Sequence, residues 1–162
     1  MLKDILSISG YGGLFKFISQ GRTGIIVESL EDKKRMNASA TAKISALEDI
    51  AIFTDTEDIP LKDVFKAIFE KEDGGVSINH KSSANELKDY FAEVLPEYDR
   101  DRVYVSDIKK VINWYNTLHK FEMLNFDEDE EETEEKTEEK NEVKTEKEVK
   151  EEEKNKEEKS EE

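Results

Sequence analysis

The sequence predicts an α+β fold in which a small antiparallel β-sheet is followed by helices and by an acidic tail. Short β-type runs separated by close turns occupy residues 14–54. Three amphipathic helical patterns follow them. From residue 127 onward the composition changes abruptly to Glu and Lys. These three observations define the fold class.

The N-terminal part is predicted to contain a short helix and a sheet that curls or closes. The apolar residues of the stretch LKDILSI have helical spacing, so a helix is expected over residues 2–8. Strands are expected over residues 14–20 and 25–30, on either side of a Gly-Arg-Thr-Gly turn, and further strands over 35–40 and 50–54. This sheet is too small to form a robust core alone, so we expect helices to cover its open face.

Residues after the sheet show the signals of helices. Residues 45–48 have the spacing of a capping box and predict a single helical turn. Pro60 precedes residues 61–70, where apolar side chains recur at i, i+3, i+4, i+7 and i+8. The same spacing follows a second capping box in residues 84–95. The last helix is expected over residues 106–126, with an apolar arc wide enough for contact from more than one side.

The chain therefore divides into four predicted segments. Residues 1–73 are a small β-domain with covering helices, 74–83 a linker, 84–126 a helical module, and 127–162 a tail. The tail has 20 acidic residues and 8 lysines among its 36 residues, and it carries twelve of the sixteen net negative charges. It cannot bury enough apolar surface to offset its backbone entropy, so disorder is expected.

Three blocks of the sequence resemble a family of uncharacterised bacterial proteins. They are LKDILSISG with GLFKFISQGRTGIIVESL, then ISALEDIAIFT, and then YFAEVLPEYDRDRVYVSDIKKVINWYNTL. The resemblance covers about residues 2–120 without the linker. It implies a small SH3-like β-barrel followed by an orthogonal α-helical module. It implies no activity, substrate or catalytic residue.

Composition excludes several classes of chemistry. The chain contains no cysteine, which excludes disulfides, thiolate catalysis and Cys-ligated zinc. No run has the length of a membrane span or the apolar core of a signal peptide, so a cytoplasmic protein without membrane association is expected. No Gly-x-Ser-x-Gly motif is present, and we predict no enzyme activity, catalytic residue or cofactor.

Two motifs and two histidines are candidate ligand sites. Gly10-x-Gly12 is followed by a predicted strand where a dinucleotide fingerprint needs a helix, so turn glycines are expected. Asp99-x-Asp101 resembles a calcium loop but lacks its central Gly and its final Glu, so a turn with Arg100 and Arg102 as counter-charges is favoured. His80 lies in the linker, and His119 is expected to be a partly buried structural residue, so no metal site is predicted.

A basic cluster supports the alternative function. Arg22 lies in one predicted hairpin turn, and Lys33, Lys34 and Arg35 lie in the next. If both turns share one rim of the barrel, these residues are candidate phosphate contacts for RNA or DNA. Ser106 and the residues after it also resemble the start of a recognition helix, but the preceding loop is longer than a helix-turn-helix allows.

The sequence therefore predicts a non-enzymatic, protein-binding interaction module, with its surface at the barrel rim or in the groove between the two folded modules. The alternative is a nucleic-acid or ribosome-associated binding protein that uses the basic rim. The identity of a partner and the oligomeric state do not follow from the sequence. Trp114, the sole tryptophan, is expected to be largely buried in the apolar arc of the last helix.

Overall fold

Five short strands near the start of the chain form one antiparallel sheet. A computed structural model describes residues 2–126, and these residues have an α+β fold. The spatial order of the strands is β4-β3-β2-β1-β5. Their bounds are β1 Ile5–Ile8, β2 Phe15–Gln20, β3 Gly24–Ser29, β4 Arg35–Ser39 and β5 Ile44–Ala46.

The hairpins β2–β3 and β3–β4 confirm the strands that the sequence predicts there. Gly24 pairs with Ser39 at the start of β3, and its α-carbon is buried against β4. A Cβ atom on Gly24 would lie 1.9 Å from the carbonyl oxygen of Ala38, so only glycine fits this close approach of two backbones. The inner face of the sheet packs into a core cluster that includes Phe15 and Val27.

The helix predicted over residues 2–8 is wrong, because this stretch forms strand β1. Leu6 pairs with Phe15 of β2 on one side and with Ala46 of β5 on the other. Asp4, just before the strand, has φ 70°, a left-handed conformation that no helix contains. A short apolar run fits both the helical period of about 3.6 residues and the strand period of 2. Here hydrogen-bonded pairing with β2 and with β5 makes the run a strand.

The sheet does not close into the barrel that the resemblance implies. Strands β4 and β5 are its two edges, and within residues 2–126 neither edge pairs with the other. The run at residues 50–54 yields only the two-residue strand β6 (Ala51–Ile52), which pairs with β7 (Ile59–Pro60) in a separate sheet. A strand this short offers too few ladder hydrogen bonds to bridge the edges.

Three α-helices follow the strands, and a 3₁₀ turn lies between β5 and β6. The turn is Leu47–Asp49, without the side-chain cap that the sequence suggests. The helices are α1 (Leu61–Lys71), α2 (Ala84–Val94) and α3 (Val105–Lys120). The spacing of apolar residues therefore predicts all three, although α3 ends six residues earlier than expected.

The predicted capping box of α2 is confirmed, and it fixes where that helix begins. The Ser83 side chain accepts the backbone N–H of Glu86, and the Glu86 carboxylate accepts the backbone N–H of Ser83. The hydrogen bond from the Ser83 N–H to the carboxylate, followed by the interaction with the Ser83 side chain, lowers the pKa of Glu86 below its usual value. Two of the donors that a helix start leaves unpaired are thereby satisfied.

Residues 74–78, within the predicted linker, are hydrogen-bonded to α3. The Asn116 side chain accepts the N–H of Ser77 at 2.9 Å and donates to the carbonyl of Ile78 at 3.0 Å. The Tyr115 hydroxyl donates to the carbonyl of Gly75 at 2.8 Å. Burial, followed by the charge of Glu72, raises the pKa of Tyr115 to about 12, so the hydroxyl keeps its proton at neutral pH.

Residues up to Leu124 form one compact unit. The boundaries expected after residues 73 and 83 stay predictions. The predicted disordered tail, residues 127–162, lies outside the described residues. Within residues 2–126 no helix combines the length and the apolar character needed to cross a membrane.

Candidate binding cleft

A cleft of about 690 Å³ lies between the sheet and helix α3. Residues 7–13, from β1 and the loop after it, form one wall together with Ser45 of β5. Residues 50–53 form the second wall, and residues 102–114, including the first turns of α3, contribute the third. The volume lies within the range of small-molecule pockets, roughly 300–1,000 Å³.

Three aromatic side chains line this cleft and remain open to solvent. Tyr11 is 55% exposed and Phe53 is 42% exposed, which places both among the most exposed large apolar residues of the described chain. Trp114 is partly buried and also lines the cleft, and the expectation that it is largely buried stays a prediction. The apolar arc of α3 is wider than its neighbours cover, and the part that carries Trp114 lines the cleft.

The glycine-rich loop after β1 positions Tyr11. Gly10 and Gly13 have φ angles of 87° and 85°, in the left-handed region that favours glycine. The loop is held by a hydrogen bond of 3.1 Å from the Tyr11 N–H to the carbonyl of Ile8. The ring of Tyr11 packs edge-on against Phe15, with 6.3 Å between ring centroids. The glycines therefore serve a turn, as the sequence analysis favours.

Arg102 joins two walls of the cleft. Its Nε donates to the Asp99 carboxylate, and its Nη2 donates to the carbonyl of Thr54 at 3.0 Å. The guanidinium carbon lies 4.5 Å from the centroid of the Phe53 ring, within the range of a cation–π contact. These contacts hold both the guanidinium and the aromatic ring in place.

The turn predicted at Asp99 is confirmed. Its Oδ1 accepts the N–H groups of Asp101 and Arg102 at 2.9 and 3.0 Å. The Arg102 side chain, and then these N–H groups, lower the pKa of Asp99 below its usual value. Arg100, the other expected counter-charge, lies instead over the ring of Tyr98, 5.7 Å from its centroid.

A second ion pair lines the cleft at the start of α3. The Lys110 ammonium lies 3.4 Å from Oδ1 of Asp107. The other oxygen of Asp107 accepts the backbone N–H of Tyr104, the N-cap residue of the helix, at 3.3 Å. Each cation of the cleft therefore has a carboxylate partner, and the ionic groups of this region balance one another.

The structure does not bring the predicted phosphate contacts together. Arg22 lies in the β2–β3 turn, and Lys33, Lys34 and Arg35 lie at the β3–β4 turn. These turns are at opposite ends of β3, a six-residue strand of about 20 Å at roughly 3.3 Å per residue. The expectation that both turns share one rim is therefore wrong, and none of the four residues lines the cleft.

The three basic residues of the β3–β4 turn have partners nearby. Lys34 pairs with Asp32 at 3.2 Å, and Arg35 pairs with Glu28 at 3.0 Å across the β3–β4 ladder. The Lys33 ammonium lies 5.1 Å from the ring centroid of Phe121. The cluster is thus an exposed surface in which acids and bases alternate.

The remaining ligand candidates have structural roles or no neighbours of the required type. His119 Nε2 lies 2.9 Å from the carbonyl oxygen of Gly74, to which it must donate, and its ring stacks on Tyr115. Among residues 2–126, no three His, Asp or Glu side chains are grouped as metal ligands would be. His119 therefore holds the segment before α2 in place.

Sequence reasoning missed the cleft because its walls are distant in the chain. One signal was present: Tyr11 stands between Gly10 and Gly12, an aromatic residue in a turn without an apolar neighbour on either side. From the sequence alone, Phe53 is expected in the core, because a sheet this small needs its aromatic side chains there. Its exposure could be recognised only in the structure, where Phe53 lies beside Arg102 in the cleft.

Comparison with known proteins identifies two matching domain models. The domain of unknown function DUF5606 matches residues 2–47, and the domain of unknown function DUF6852 matches residues 50–118. A solution NMR structure of a protein from Bacteroides vulgatus, a structural genomics target, is 56% identical, with a TM-score of 0.63. The match covers 74% of this chain and 86% of that chain. No curated protein matches the sequence.

These matches confirm the resemblance seen in the sequence. The two matched regions meet between residues 47 and 50. Residues 7–13 and Ser45 of the cleft come from the first region, and all other walls come from the second. The cleft is therefore a joint feature of the two domains.

Proposed function

The chain belongs to the family of the Bacteroides vulgatus protein, and in the chain itself DUF5606 is followed by DUF6852. From this premise we propose that the chain is a non-enzymatic interaction module that binds a protein partner. The binding surface is the cleft between the sheet and α3. We place the module in the cytoplasm, in keeping with a sequence that has no cysteine.

The exposed aromatic residues of the cleft carry this proposal. Tyr, Trp and Arg are the residue types that contribute most to binding energy at protein interfaces. Here Tyr11, Trp114 and Arg102 line one concave surface together with Phe53. Exposed aromatic surface costs solvation free energy in the free protein, and a partner that covers it recovers that cost. Because these side chains lie together in one cleft, a binding surface explains their exposure better than chance exposure of single residues does.

The chemistry of the charged groups supports binding over catalysis. Asp107 caps α3 and pairs with Lys110, and Arg102 is held by Asp99 and Thr54. Each group thus has a structural partner, whereas a general acid or base needs a pKa tuned toward the working pH. Within residues 2–126, the pKa of Tyr90 is raised strongly, mainly because the hydroxyl is buried, and Tyr90 does not line the cleft.

Site-specific photo-crosslinking tests this proposal. A photoreactive phenylalanine analogue replaces Phe53 in the full chain, and a matched chain carries it at Val76, an exposed apolar residue outside the cleft. In host cells, we expect a defined protein adduct from position 53 that is absent from position 76. The affinity of the identified partner should then fall at least tenfold in Phe53→Ala. Equal labelling at both positions, or an unchanged affinity, would refute the proposal.

The alternative, a nucleic-acid or ribosome-associated role, has less support. Its four basic residues occupy two ends of the sheet, and those at the β3–β4 turn lie among carboxylates. Fluorescence anisotropy of the full chain with mixed-sequence RNA and DNA over a salt series separates the two functions. Phosphate binding would weaken steeply with salt, because each neutralised phosphate releases counterions. We expect no such binding.

A further inference from the structure

Strand β4 is an open edge of the sheet. Within residues 2–126 it pairs with β3 on one side and with no strand on the other. Just beyond the end of the β3–β4 ladder, the Ala40 N–H donates to the Thr23 carbonyl at 3.1 Å. Antiparallel hydrogen bonds alternate along a strand, so the residues of β4 that follow the opposite parity turn their backbone groups away from β3. These residues are Arg35, Asn37 and Ser39.

Most of these outward backbone groups have no hydrogen-bond partner in the described part of the chain. They are the N–H groups of Arg35, Asn37 and Ser39 and the carbonyls of Arg35 and Asn37. The carbonyl of Ser39 accepts the Ala42 N–H at 2.9 Å. All three outward residues are exposed, so a row of donors and acceptors along β4 is open to a further strand.

The middle of β4 lacks the features that usually block an open edge. Proteins block edges with proline, with charged side chains, with β-bulges, or by keeping the edge strand short. Met36, Asn37 and Ala38 are uncharged, and β4 pairs with β3 through all five of its residues without a bulge. The opposite edge, β5, is only three residues long. Strand β4 is therefore the edge of this sheet that can accept another strand.

The inner face of the sheet is incompletely covered at the same edge. Met36 packs against the core cluster to which Ala38 belongs, but its side chain stays partly exposed. A strand added beside β4 would place its own side chains next to Met36 and extend the apolar cluster across the edge. Backbone groups and apolar surface thus both point to a strand as the ligand.

We propose that two copies of the chain pair through β4, antiparallel and related by a two-fold axis at Asn37. Asn37 then lies opposite Asn37 of the second copy, and Arg35 lies opposite Ser39 of the second copy. This register aligns each outward-facing residue with another one. The three pairs give about six backbone hydrogen bonds, two for each pair.

The side chains of β4 favour a second copy as the occupant. Arg35 keeps its ion pair with Glu28 and meets an uncharged serine, so no like charges lie opposite each other. On the inner face, the large Met36 lies opposite the small Ala38 of the second copy. Because the axis is two-fold, both copies gain the same contacts. Residues 35–39 do not line the cleft, so this inference goes beyond the proposed function and does not depend on it.

Disulfide trapping tests the pairing. The chain has no cysteine, so Asn37→Cys introduces a single thiol. Hydrogen-bonded partners on antiparallel strands have Cα atoms about 5.5 Å apart, within the span of roughly 4.4–6.8 Å that a disulfide allows. In a glutathione redox buffer, Asn37→Cys should form a covalent dimer at least about tenfold faster than Lys16→Cys. Lys16 is the matched control, because it is exposed on β2 and separated from the edge by β3.

A charge exchange at position 37 tests the register without a crosslink. Asn37→Lys and Asn37→Asp each place like charges opposite each other, so each should weaken self-association about two- to fivefold. An equimolar mixture of the two variants should associate more tightly than either alone, because lysine then lies opposite aspartate. Both variants lose the hydrogen bond from Asn37 Nδ2 to the Thr23 hydroxyl, so this loss is common to both.

Sedimentation velocity of the full chain measures the association. One pair of strands makes a small interface, so we expect a weak dimer, detected at roughly 0.1–1 mM protein. Each copy carries a net charge of −16, so added salt should strengthen the dimer by screening the repulsion. Circular dichroism checks that each variant keeps the secondary structure of the wild type.

Three results would overturn the pairing through β4. They are a wild type that stays monomeric at about 1 mM in high salt, equal rates of disulfide formation at positions 37 and 16, and a mixture of the charge variants that associates no better than each alone. A wild-type dimer that neither charge variant weakens uses another surface and also overturns it. Photo-crosslinking at position 53 tests the cleft separately, so the failure of one proposal leaves the other standing.

Discussion

Replacing Gly24 by alanine should destabilise the sheet more than the same substitution at any other glycine of the described chain. The new Cβ would lie 1.9 Å from the carbonyl oxygen of Ala38, whereas real Cβ atoms stay at least 3.0 Å from other heavy atoms. Strand β4 would have to move away by about 1 Å, or the pairing of Gly24 with Ser39 would open.

The magnitude follows from these contacts. Forced overpacking costs about 1–3 kcal/mol. The hydrogen bond from the Ala40 N–H to the Thr23 carbonyl, 3.1 Å long and next to the clash, contributes about 1 kcal/mol when it is lost. We therefore expect Gly24→Ala to lower the free energy of unfolding by about 2–4 kcal/mol. For a domain of this size, that is a fall in Tm of roughly 8–15 °C.

The assay is urea and thermal unfolding followed by circular dichroism. The matched control is Gly12→Ala, because a Cβ there meets nothing within 4 Å and the φ angle of Gly12 is not positive. It should change the free energy of unfolding by less than about 0.5 kcal/mol. If Gly24→Ala unfolds within 0.5 kcal/mol of the wild type, the close approach of β3 and β4 is refuted as a constraint on this position.

Three further substitutions test the polar contacts. Asp99→Asn removes a carboxylate whose pKa is lowered by Arg102, and the stabilisation linked to that pKa is present above about pH 4. The urea midpoint of the variant should therefore be lower than that of the wild type at pH 7, and the difference should shrink as the pH falls through the lowered pKa. Asn116→Ala leaves the buried N–H of Ser77 unpaired and should cost about 1–3 kcal/mol in urea unfolding. Ser83→Ala removes the N-cap of α2 and should cost about 1 kcal/mol by the same measurement.

Each of these three predictions has a control. Asp101→Asn should not reproduce the pH dependence, because no ion pair of Asp101 is formed within residues 2–126. Asn85→Ala lies on the exposed surface of α2, where substitution should cost less than about 0.5 kcal/mol. A difference in urea midpoint between the wild type and Asp99→Asn that does not shrink as the pH falls below about 4 would contradict the assigned ion pair. An Asn116→Ala variant as stable as the Asn85→Ala variant would contradict the hydrogen bonds assigned to Asn116.

Local patterns predicted most of the fold. The spacing of apolar residues predicts α1 and α2 because one face of each is buried, as Leu61 and Phe91 show. Strand β1 could not be predicted in this way, since its apolar run is too short to distinguish the helical period of about 3.6 residues from the strand period of 2. The open sheet could not be predicted either, because the fate of residues 50–54 depends on pairing with Ile59–Pro60 rather than on their own composition.

The separation of the basic residues was predictable in principle. In a run of antiparallel hairpins, successive turns alternate between the two ends of the shared strand. Arg22 comes just before β3 and Lys33 comes just after it, so the two residues could not share a rim unless the sheet curled strongly. The cleft was beyond local patterns, because Tyr11, Phe53 and Trp114 are separated by more than 40 residues from one to the next.

The hydrogen bonds between residues 74–78 and α3 also have a consequence for the order of events during folding. They join positions about 40 residues apart, such as Gly75 with Tyr115 and Ser77 with Asn116, so they close a loop that contains all of α2. Closing it costs chain entropy. Amide exchange at Ser77 should therefore occur only when α3 undocks, and this single amide reports the cooperative opening of the helical layer.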